Sequence, residues 1–222
     1  MADHYSKMPT LASMKEAAEA FSRILTEHNI EHAFIGRFAL QMLGNVRETF
    51  DIDVEVDVDI EDFRGRIVQI LSAADPRFVF SNLKIFFRPE GSAPIPIETL
   101  ARGMLGLPRR FSILRPGDGS VPILEPGVLI LTKMKRATQY IGSTRPQSML
   151  KYSSDLQDIF LLLAWLRDNN RKIDFVAYDA ASPERLYDAV RSMRDHWARL
   201  GQGNNVEMLD SALNPSDKTK LE

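Results

Sequence analysis

The ten residues Asp51–Ile60, DIDVEVDVDI, alternate without interruption between acidic and aliphatic side chains. Because successive side chains of a strand point to opposite faces of a sheet, this alternation predicts a β-strand with one apolar and one acidic face. We expect the valine and isoleucine face to pack inward and the acidic face to stay outside the core. Such an acidic stripe is either a solvated surface or, inside a cleft, a site for a hard cation such as Mg²⁺, which prefers oxygen ligands.

The rest of the chain predicts strands and helices first, and then helices only. An amphipathic helix over 14–28, capped by Ser13 with Glu16, precedes a short strand at His32–Ile35. Downstream we expect a hairpin (78–80 and 83–87), a strand at 95–100, and helices over 127–139, 153–169 and 183–200. This order is typical of an α+β fold, a mixed sheet flanked by helices, with a C-terminal helical subdomain. The predicted parts are a flexible N-terminus (1–12), an α+β core (13–126), a helical subdomain (127–200) and a flexible tail (201–222).

Composition excludes several classes of protein. The chain has 222 residues, no cysteine and a net charge of −2. Without cysteine there is no disulfide framework, zinc ribbon or cysteine nucleophile. The N-terminus shows no secretory pattern, and the longest apolar run, Ile159–Leu166, is far shorter than the roughly 20 residues that a bilayer requires. We therefore expect a soluble cytoplasmic protein with no membrane partner, while the oligomeric state stays open.

Charge is distributed unevenly along the chain. Arg47–Asp62 contains eight acidic residues and one arginine, whereas Thr99–Lys151 contains nine basic residues and two acidic ones. An acidic segment that holds a cation and a basic segment that holds an anion would suit a metal–phosphate ligand. Mutual neutralisation of the two segments explains the same pattern, and the sequence alone leaves both interpretations open.

Three short motifs surround the acidic strand. They are Phe34–Leu40 (FIGRFAL), Arg47–Thr49 (RET) and Asp51–Val54 (DIDV). In this order they resemble the signature of the nucleotidyltransferase fold, the DNA-polymerase-beta superfamily, in which a strand and a glycine turn precede Arg-x-Thr/Ser-x-Asp-x-Asp. The glycine turn lets backbone N–H groups approach a triphosphate at a helix N-terminus. The two aspartates bind metal ions that bridge the phosphates.

The resemblance implies a role for each matching residue. Mg²⁺ would be held by Asp51 and Asp53, in a site that can take two metal ions, and the best-placed third carboxylate is Glu98. The nucleotide would be contacted by the Gly36 turn, Arg37, Arg47, Thr49, Lys133 and Lys135. Two of these assignments have equal or stronger alternatives, since Arg47 could simply neutralise Asp51 and Thr49 could support the start of the strand.

A second block of motifs lies in the predicted helical part. It consists of Leu129–Lys135 (LILTKMK), Lys151 and Asp155–Ile159 (DLQDI). This block resembles the branch of the superfamily that contains abortive-infection-type toxin nucleotidyltransferases and uncharacterised relatives in microbes and fungi. The resemblance implies that Lys133 contacts phosphate, with Lys135 as the near alternative. It also implies that Asp155 is an acidic residue facing the site and that Asp158 positions the helix.

The implied activity is a Mg²⁺-dependent nucleotidyltransferase. It would move a nucleoside monophosphate from a nucleoside triphosphate such as ATP to a hydroxyl acceptor, which could be a small molecule, a protein or tRNA. Two departures from the family pattern, Arg37 in the glycine turn and Glu98 in place of aspartate, leave a catalytically inactive scaffold or binding module as the alternative. A further alternative is a tRNA-modifying toxin, which requires the basic segment Arg102–Lys151 to form one contiguous face.

Overall fold

The computed structural model describes residues 8–58 and 63–222. The chain divides into two compact units, Met1–Met104 with Ile113–Leu124, and Leu105–Ser112 with Glu125–Glu222. Among the described helices, none combines the length and the apolar character needed to cross a bilayer.

The first unit is built on one mixed sheet. Its described strands are β1 (His32–Ile35), β2 (Ile52–Val56), β3 (Phe78–Ser81), β4 (Lys84–Phe87), β5 (Ile95–Ala101), β6 (Ile113–Leu114) and β7 (Ile123–Leu124). They are arranged in the order β3-β4-β5-β2-β1-β7-β6. Strand β2 runs antiparallel to β1 and parallel to β5. Together with the helices described next, this sheet confirms the predicted α+β class.

Among the described residues of this unit, three α-helices are formed: α1 (Leu11–Glu27), α2 (Gly36–Met42) and α3 (Phe63–Ala74). Phe21 of α1 meets Phe34 of β1 and Phe78 of β3 edge to face, with ring centroids 6.0 Å and 6.2 Å apart. Phe34 is the register partner of Val54. The aliphatic face of β2 is therefore the face that α1 covers, and the side chain of Asp53 lies on the opposite face.

Helix α1 begins one turn earlier than predicted. Its N-cap is Thr10, whose Oγ1 accepts a hydrogen bond from the Ser13 backbone N–H at 3.2 Å, while the Ser13 hydroxyl oxygen accepts one from the Thr10 N–H at 2.9 Å. The predicted cap at Ser13 with Glu16 is therefore wrong. Both Thr10 and Ser13 are residue types that cap helices, and the earlier cap allows the first turn to lead into the buried Met14.

The acidic strand differs from its prediction in length and in burial. The strand covers Ile52–Val56 rather than Asp51–Ile60; Asp57 and Val58 lie outside it, and positions 59–60 fall outside the described residues. Its acidic face is not left outside the core throughout, because Glu55 is fully buried. The Glu55 Oε1 atom accepts a hydrogen bond from the Gly103 backbone N–H at 2.8 Å. The segment that follows β5 therefore covers part of the polar face of β2.

The predicted hairpin is confirmed. Strands β3 and β4 pair antiparallel around a two-residue loop, Asn82–Leu83, and β4 pairs with β5. Both loop residues have positive φ, 50° for Asn82 and 63° for Leu83. Positive φ at both central residues is the geometry of a type I′ turn, which suits the twist of a hairpin.

The second unit is helical. Its described helices are α4 (Pro126–Ala137), α5 (Pro146–Asp168), α6 (Phe175–Tyr178), α7 (Glu184–Arg199), α8 (Gly203–Ser211) and α9 (Pro215–Leu221). The last two occupy the segment that was expected to be a flexible tail. Leu209 and Leu221 are buried, and the guanidinium of Arg194 in α7 donates to the carboxylate of Asp210 at 2.9 Å. These contacts hold the segment in place. The sequence predicted a flexible tail because polar residues outnumber the few buried leucines there.

Candidate functional site

Two of the predicted carboxylates are neighbours on the sheet of the first unit. Asp53 of β2 is the register partner of Glu98 of β5. Register partners on adjacent strands point to the same face, and their backbones lie about 4.8 Å apart. The sheet therefore places Asp53 and Glu98 side by side on the face away from α1. This juxtaposition is the central feature of the candidate site.

Gly36 lies directly against Asp53. The glycine follows β1 as the first residue of α2 and has a φ of +67°. A Cβ atom built at this position would lie only 2.0 Å from Asp53 Oδ2. Both the left-handed backbone and the close approach of the carboxylate therefore require glycine here. The neighbouring Arg37 is exposed on the surface of α2.

The loop before β2 orients Asp51. The hydroxyl of the buried Thr49 donates to Asp51 Oδ1 at 2.5 Å, so that Thr49 supports the exposed carboxylate directly. The backbone of Arg47 is also fixed, because its N–H donates to Asn45 Oδ1 at 3.0 Å and its carbonyl accepts from Gln41 Nε2 at 3.0 Å. Glycine, threonine and aspartate of the three motifs thus meet at one end of the central strands.

Glu98 has a counter-ion that sequence reasoning missed. Lys84 Nζ lies 3.1 Å from Glu98 Oε1, and both side chains are about half exposed. Lys84 is the first residue of β4, and the pairing of Ile85 with Ile97 places Lys84 opposite Glu98. The alternation of the hairpin could have indicated this pair only if the register between β4 and β5 had been known.

The remaining predicted residues belong to the second unit, where each forms a close contact. Lys133 Nζ donates to Asp158 Oδ2 at 2.7 Å, and both side chains are buried. The guanidinium of Arg136 binds both oxygens of the fully buried Asp155, with Nε donating to Oδ2 at 2.8 Å. Asp158 and Arg136 therefore join α4 to α5 through two ion pairs.

Lys135 contacts the segment near Gly106. Its ammonium donates to the Gly106 carbonyl and, at 3.0 Å, to the hydroxyl of Tyr178. Tyr178 in turn donates to the same carbonyl at 2.7 Å. Lys135 thus helps to hold residues 105–112 within the second unit. Arg136 and Tyr178 were not among the predicted residues, and their partners are too distant in sequence for spacing alone to identify them.

The donor set on the sheet fits a hard divalent cation in its chemistry. Asp51, Asp53 and Glu98 offer carboxylate oxygens, which Mg²⁺ prefers, and two of the three are register partners. In residues 8–58 and 63–222, however, no group of three or more histidine, cysteine, aspartate or glutamate side chains is gathered closely enough to hold a metal ion. Binding would require Asp51 and Glu98 to share their present partners, Thr49 and Lys84, with the cation.

Four of the nine basic residues between Arg102 and Lys151, namely Arg102, Arg109, Lys133 and Arg136, form ion pairs. In the first unit, Arg102 lies 2.8 Å from Asp57. In the second unit, Arg109 lies 3.6 Å from Asp179, in addition to the two pairs between α4 and α5. Charges that are neutralised within each unit contribute little to a field that attracts phosphates.

Comparison with known proteins identifies the fold. A crystal structure of an antigenic nucleotidyltransferase-like protein from Paracoccidioides brasiliensis matches with a TM-score of 0.61 and 17% sequence identity, covering 91% of this chain and 94% of that one. The antibiotic-resistance factor ANT(2'')-Ia matches with a TM-score of 0.45 and 15% identity, covering 88% of this chain and 99% of that one. CdnC of E. coli MS115-1, whose structure includes ATP, matches with a TM-score of 0.33 and 14% identity, covering 86% of this chain and 67% of that one.

The first of these three structures supports the conclusion about the fold, since its TM-score is well above those of the other two. No protein-family model matches the chain, and no curated protein matches it. The chain therefore has a nucleotidyltransferase-like fold, as the motifs around Asp51 and Asp53 implied.

Proposed function

We propose that the protein is a Mg²⁺-dependent nucleotidyltransferase that moves a nucleoside monophosphate from a nucleoside triphosphate, ATP among them, to a hydroxyl acceptor. The observation that supports this most is the pairing of Asp53 with Glu98 on a nucleotidyltransferase-like sheet. Gly36, which leaves room for the Asp53 carboxylate, adds a second feature of the motif.

Each residue has a role in this reaction. Asp51, Asp53 and Glu98 would hold Mg²⁺, which neutralises phosphate charge and favours in-line displacement. Thr49 keeps Asp51 oriented. The acceptor oxygen attacks the α-phosphorus and forms a new P–O bond, while the bond between the α- and β-phosphates breaks and pyrophosphate leaves. Glu98, the more exposed of the register pair, takes the proton of the acceptor hydroxyl.

Four basic residues, Arg37, Arg47, Lys133 and Lys135, would contact the phosphates of the nucleotide. Arg37 is exposed and carries a charge beside the Gly36 turn, which suits a phosphate contact. Arg47, held by its backbone in the loop before β2, is placed to contribute as well. Lys133 and Lys135 would contact phosphate only by sharing their ammonium groups with the acceptors that they bind now. Asp155, paired with Arg136, would act by fixing α5 against α4.

An incorporation assay tests this proposal. The purified chain is incubated with Mg²⁺ and each of four α-³²P-labelled nucleoside triphosphates, with a mixture of small alcohols, protein or tRNA as acceptor. We expect label to enter one class of acceptor and pyrophosphate to be released in equal amount. Asp53→Asn should abolish both signals, whereas Asp168→Asn, a substitution of an exposed aspartate in α5, should change neither.

A second candidate function is a catalytically inactive binding module. The observation that favours it is the Lys84–Glu98 ion pair, because the lysine supplies the positive charge that a metal ion would otherwise supply. Such a protein would bind nucleotide without turnover, and binding would survive Asp53→Asn. The ion pairs of the basic segment give no support to a tRNA-modifying toxin with a continuous basic face.

A further inference from the structure

A row of charged side chains crosses three strands of the first unit, on the face away from α1. Asp53 of β2 is the register partner of Glu98 of β5. The pairing of β4 with β5 places Lys84, the first residue of β4, opposite Glu98. Register partners point to the same face, and adjacent strands lie about 4.8 Å apart. The sheet therefore brings one ammonium group and two carboxylates of the candidate metal site into a single row.

The hairpin turn fixes the place of Lys84 in this row. Asn82 and Leu83 form the two-residue loop with φ angles of 50° and 63°, and Ser81 pairs with Lys84 across it. Turn type and loop length set the register of a hairpin, so Lys84 cannot shift along β4 without a different turn. Its ammonium, in contrast, lies at the end of a flexible four-carbon chain. The main chain is thus held beside Glu98, while the charge itself can change partners.

The pair between Lys84 and Glu98 is exposed enough to be exchanged. Lys84 Nζ lies 3.1 Å from Glu98 Oε1, and the two side chains are 53% and 50% exposed. Water screens such a pair, so that its net contribution to stability is small. The Lys133–Asp158 pair is different, because its side chains are only 6% and 1% exposed and separation would leave desolvated charges. Of these two lysines, Lys84 is the one that can leave its carboxylate at low cost.

The balance of charge gives the direction of the exchange. The Glu98 carboxylate cannot hold an ammonium as tightly while it shares its oxygens with a divalent cation, because the two positive charges repel each other. The phosphates of a bound nucleotide offer negative oxygens, to which lysine binds as a point charge. A metal–triphosphate complex therefore supplies a new partner for each member of the pair, a cation for Glu98 and an anion for Lys84.

We propose that Lys84 is a nucleotide-binding residue, which exchanges the Glu98 carboxylate for a phosphate oxygen when a metal–triphosphate complex binds. In the free protein, Lys84 keeps Glu98 paired and thereby lowers the affinity of the site for a metal ion alone. In the complex, the same ammonium stabilises the phosphates. This role rests on the proposed function, because it assigns a residue to the substrate of that reaction. Removing the Lys84 charge should therefore change two affinities in opposite directions.

Two titrations of the full chain with Lys84→Met measure these affinities. Mn²⁺ alone, which prefers carboxylate ligands as Mg²⁺ does, is followed by electron paramagnetic resonance of the free ion. Mg²⁺–tripolyphosphate, which carries the phosphates but no base, is followed by calorimetry. Loss of the competing ammonium should tighten Mn²⁺ binding by about three- to tenfold. The lost phosphate contact outweighs the lost competition, so that tripolyphosphate binding should weaken by about fivefold.

Lys15→Met is the matched control. It is the same substitution in α1, where Lys15 Nζ lies 3.0 Å from the exposed Asp118, and it should leave both affinities unchanged. Opposite shifts in Lys84→Met, with neither shift in Lys15→Met, support the inference. A merely structural role of Lys84 would lower both affinities together, and that result overturns it.

The wild-type titrations separate this inference from the proposed function. A wild-type chain that does not bind both probes lacks a metal–phosphate site, which overturns the inference together with the proposed function. A wild-type chain that binds both, combined with an unchanged affinity for either probe in Lys84→Met, overturns the inference alone. The transfer reaction itself is measured independently by the labelled-nucleotide assay.

Discussion

Replacing Lys133 by methionine should destabilise the protein strongly. Lys133 Nζ lies 2.7 Å from Asp158 Oδ2, and the two side chains are only 6% and 1% exposed. Methionine keeps the length and apolar stem of the lysine but leaves the Asp158 carboxylate buried without this cation. Removing one partner of a buried ion pair costs about 3–5 kcal/mol, because the remaining charge stays desolvated.

Urea denaturation followed by circular dichroism measures this loss of unfolding free energy directly. Thermal unfolding provides a second readout: at this chain length, 1 kcal/mol corresponds to a shift of roughly 2–4 °C in the melting temperature, so the melting temperature should fall by about 6–20 °C. Lys133→Met/Asp158→Leu replaces both charges by apolar groups and should recover most of the lost stability. The matched control is Arg167→Met, whose pair with Asp168 is more than half exposed and should contribute less than about 1 kcal/mol.

The same variants test the contribution of Lys133 to stability and its proposed contact with phosphate. A Lys133→Met protein as stable as the wild type would refute the reasoning about the buried pair. Once the double variant is shown to be folded, its affinity for a Mg²⁺–nucleoside triphosphate reports on phosphate binding separately. A loss of about tenfold would match one charge-assisted contact, and an unchanged affinity would contradict the proposed phosphate contact.

Three further predictions concern substitutions in the first unit. Gly36→Ala should destabilise the protein by about 1–3 kcal/mol in urea denaturation and abolish nucleotide-dependent stabilisation, because the new Cβ would overlap Asp53 Oδ2. Thr49→Val should weaken Mg²⁺–nucleotide binding by about tenfold in calorimetry while lowering the unfolding free energy by no more than about 1.5 kcal/mol, since it removes only the hydrogen bond to Asp51. Burial lowers the pKa of His32, so as the pH falls the unfolded chain binds a proton at a higher pH than the folded chain does. The free energy of unfolding should therefore decrease as the pH drops below about 6.5. In unfolding experiments at several pH values, His32→Gln should make this decrease shallower.

The sequence predicted the elements whose side chains alternate or recur regularly. The hairpin and the strand around Glu98 were found because apolar residues and turn residues stand in the order that such elements require. Period-two alternation correctly assigned Ile52 and Val54 to the buried face of β2. The three motifs around Asp51 and Asp53, taken together and in order, indicated the fold that the structural comparison shows.

The parts that were missed depend on contacts between distant segments. Alternation could not show that Glu55 is buried, because its burial depends on Gly103, which is distant in sequence and donates to the Glu55 carboxylate. The Lys84–Glu98 pair depends on strand register, and the Lys133–Asp158 pair depends on how α4 meets α5. The helices after Gly201 were missed because polar residues outnumber their few buried leucines.

Thermal unfolding with Mg²⁺ and each of four nucleoside triphosphates is the most direct test of the central claim, that Asp51 and Asp53 form a metal-dependent nucleotide site. A ligand at about 100 times its dissociation constant stabilises the folded state by roughly 2.7 kcal/mol, which corresponds to a shift of about 5–10 °C at this chain length. We predict such a shift with at least one nucleotide, dependent on Mg²⁺ and absent from Asp51→Ala/Asp53→Ala. A wild-type chain whose melting temperature is unchanged by every nucleotide, or a double variant that shifts equally, would contradict the account.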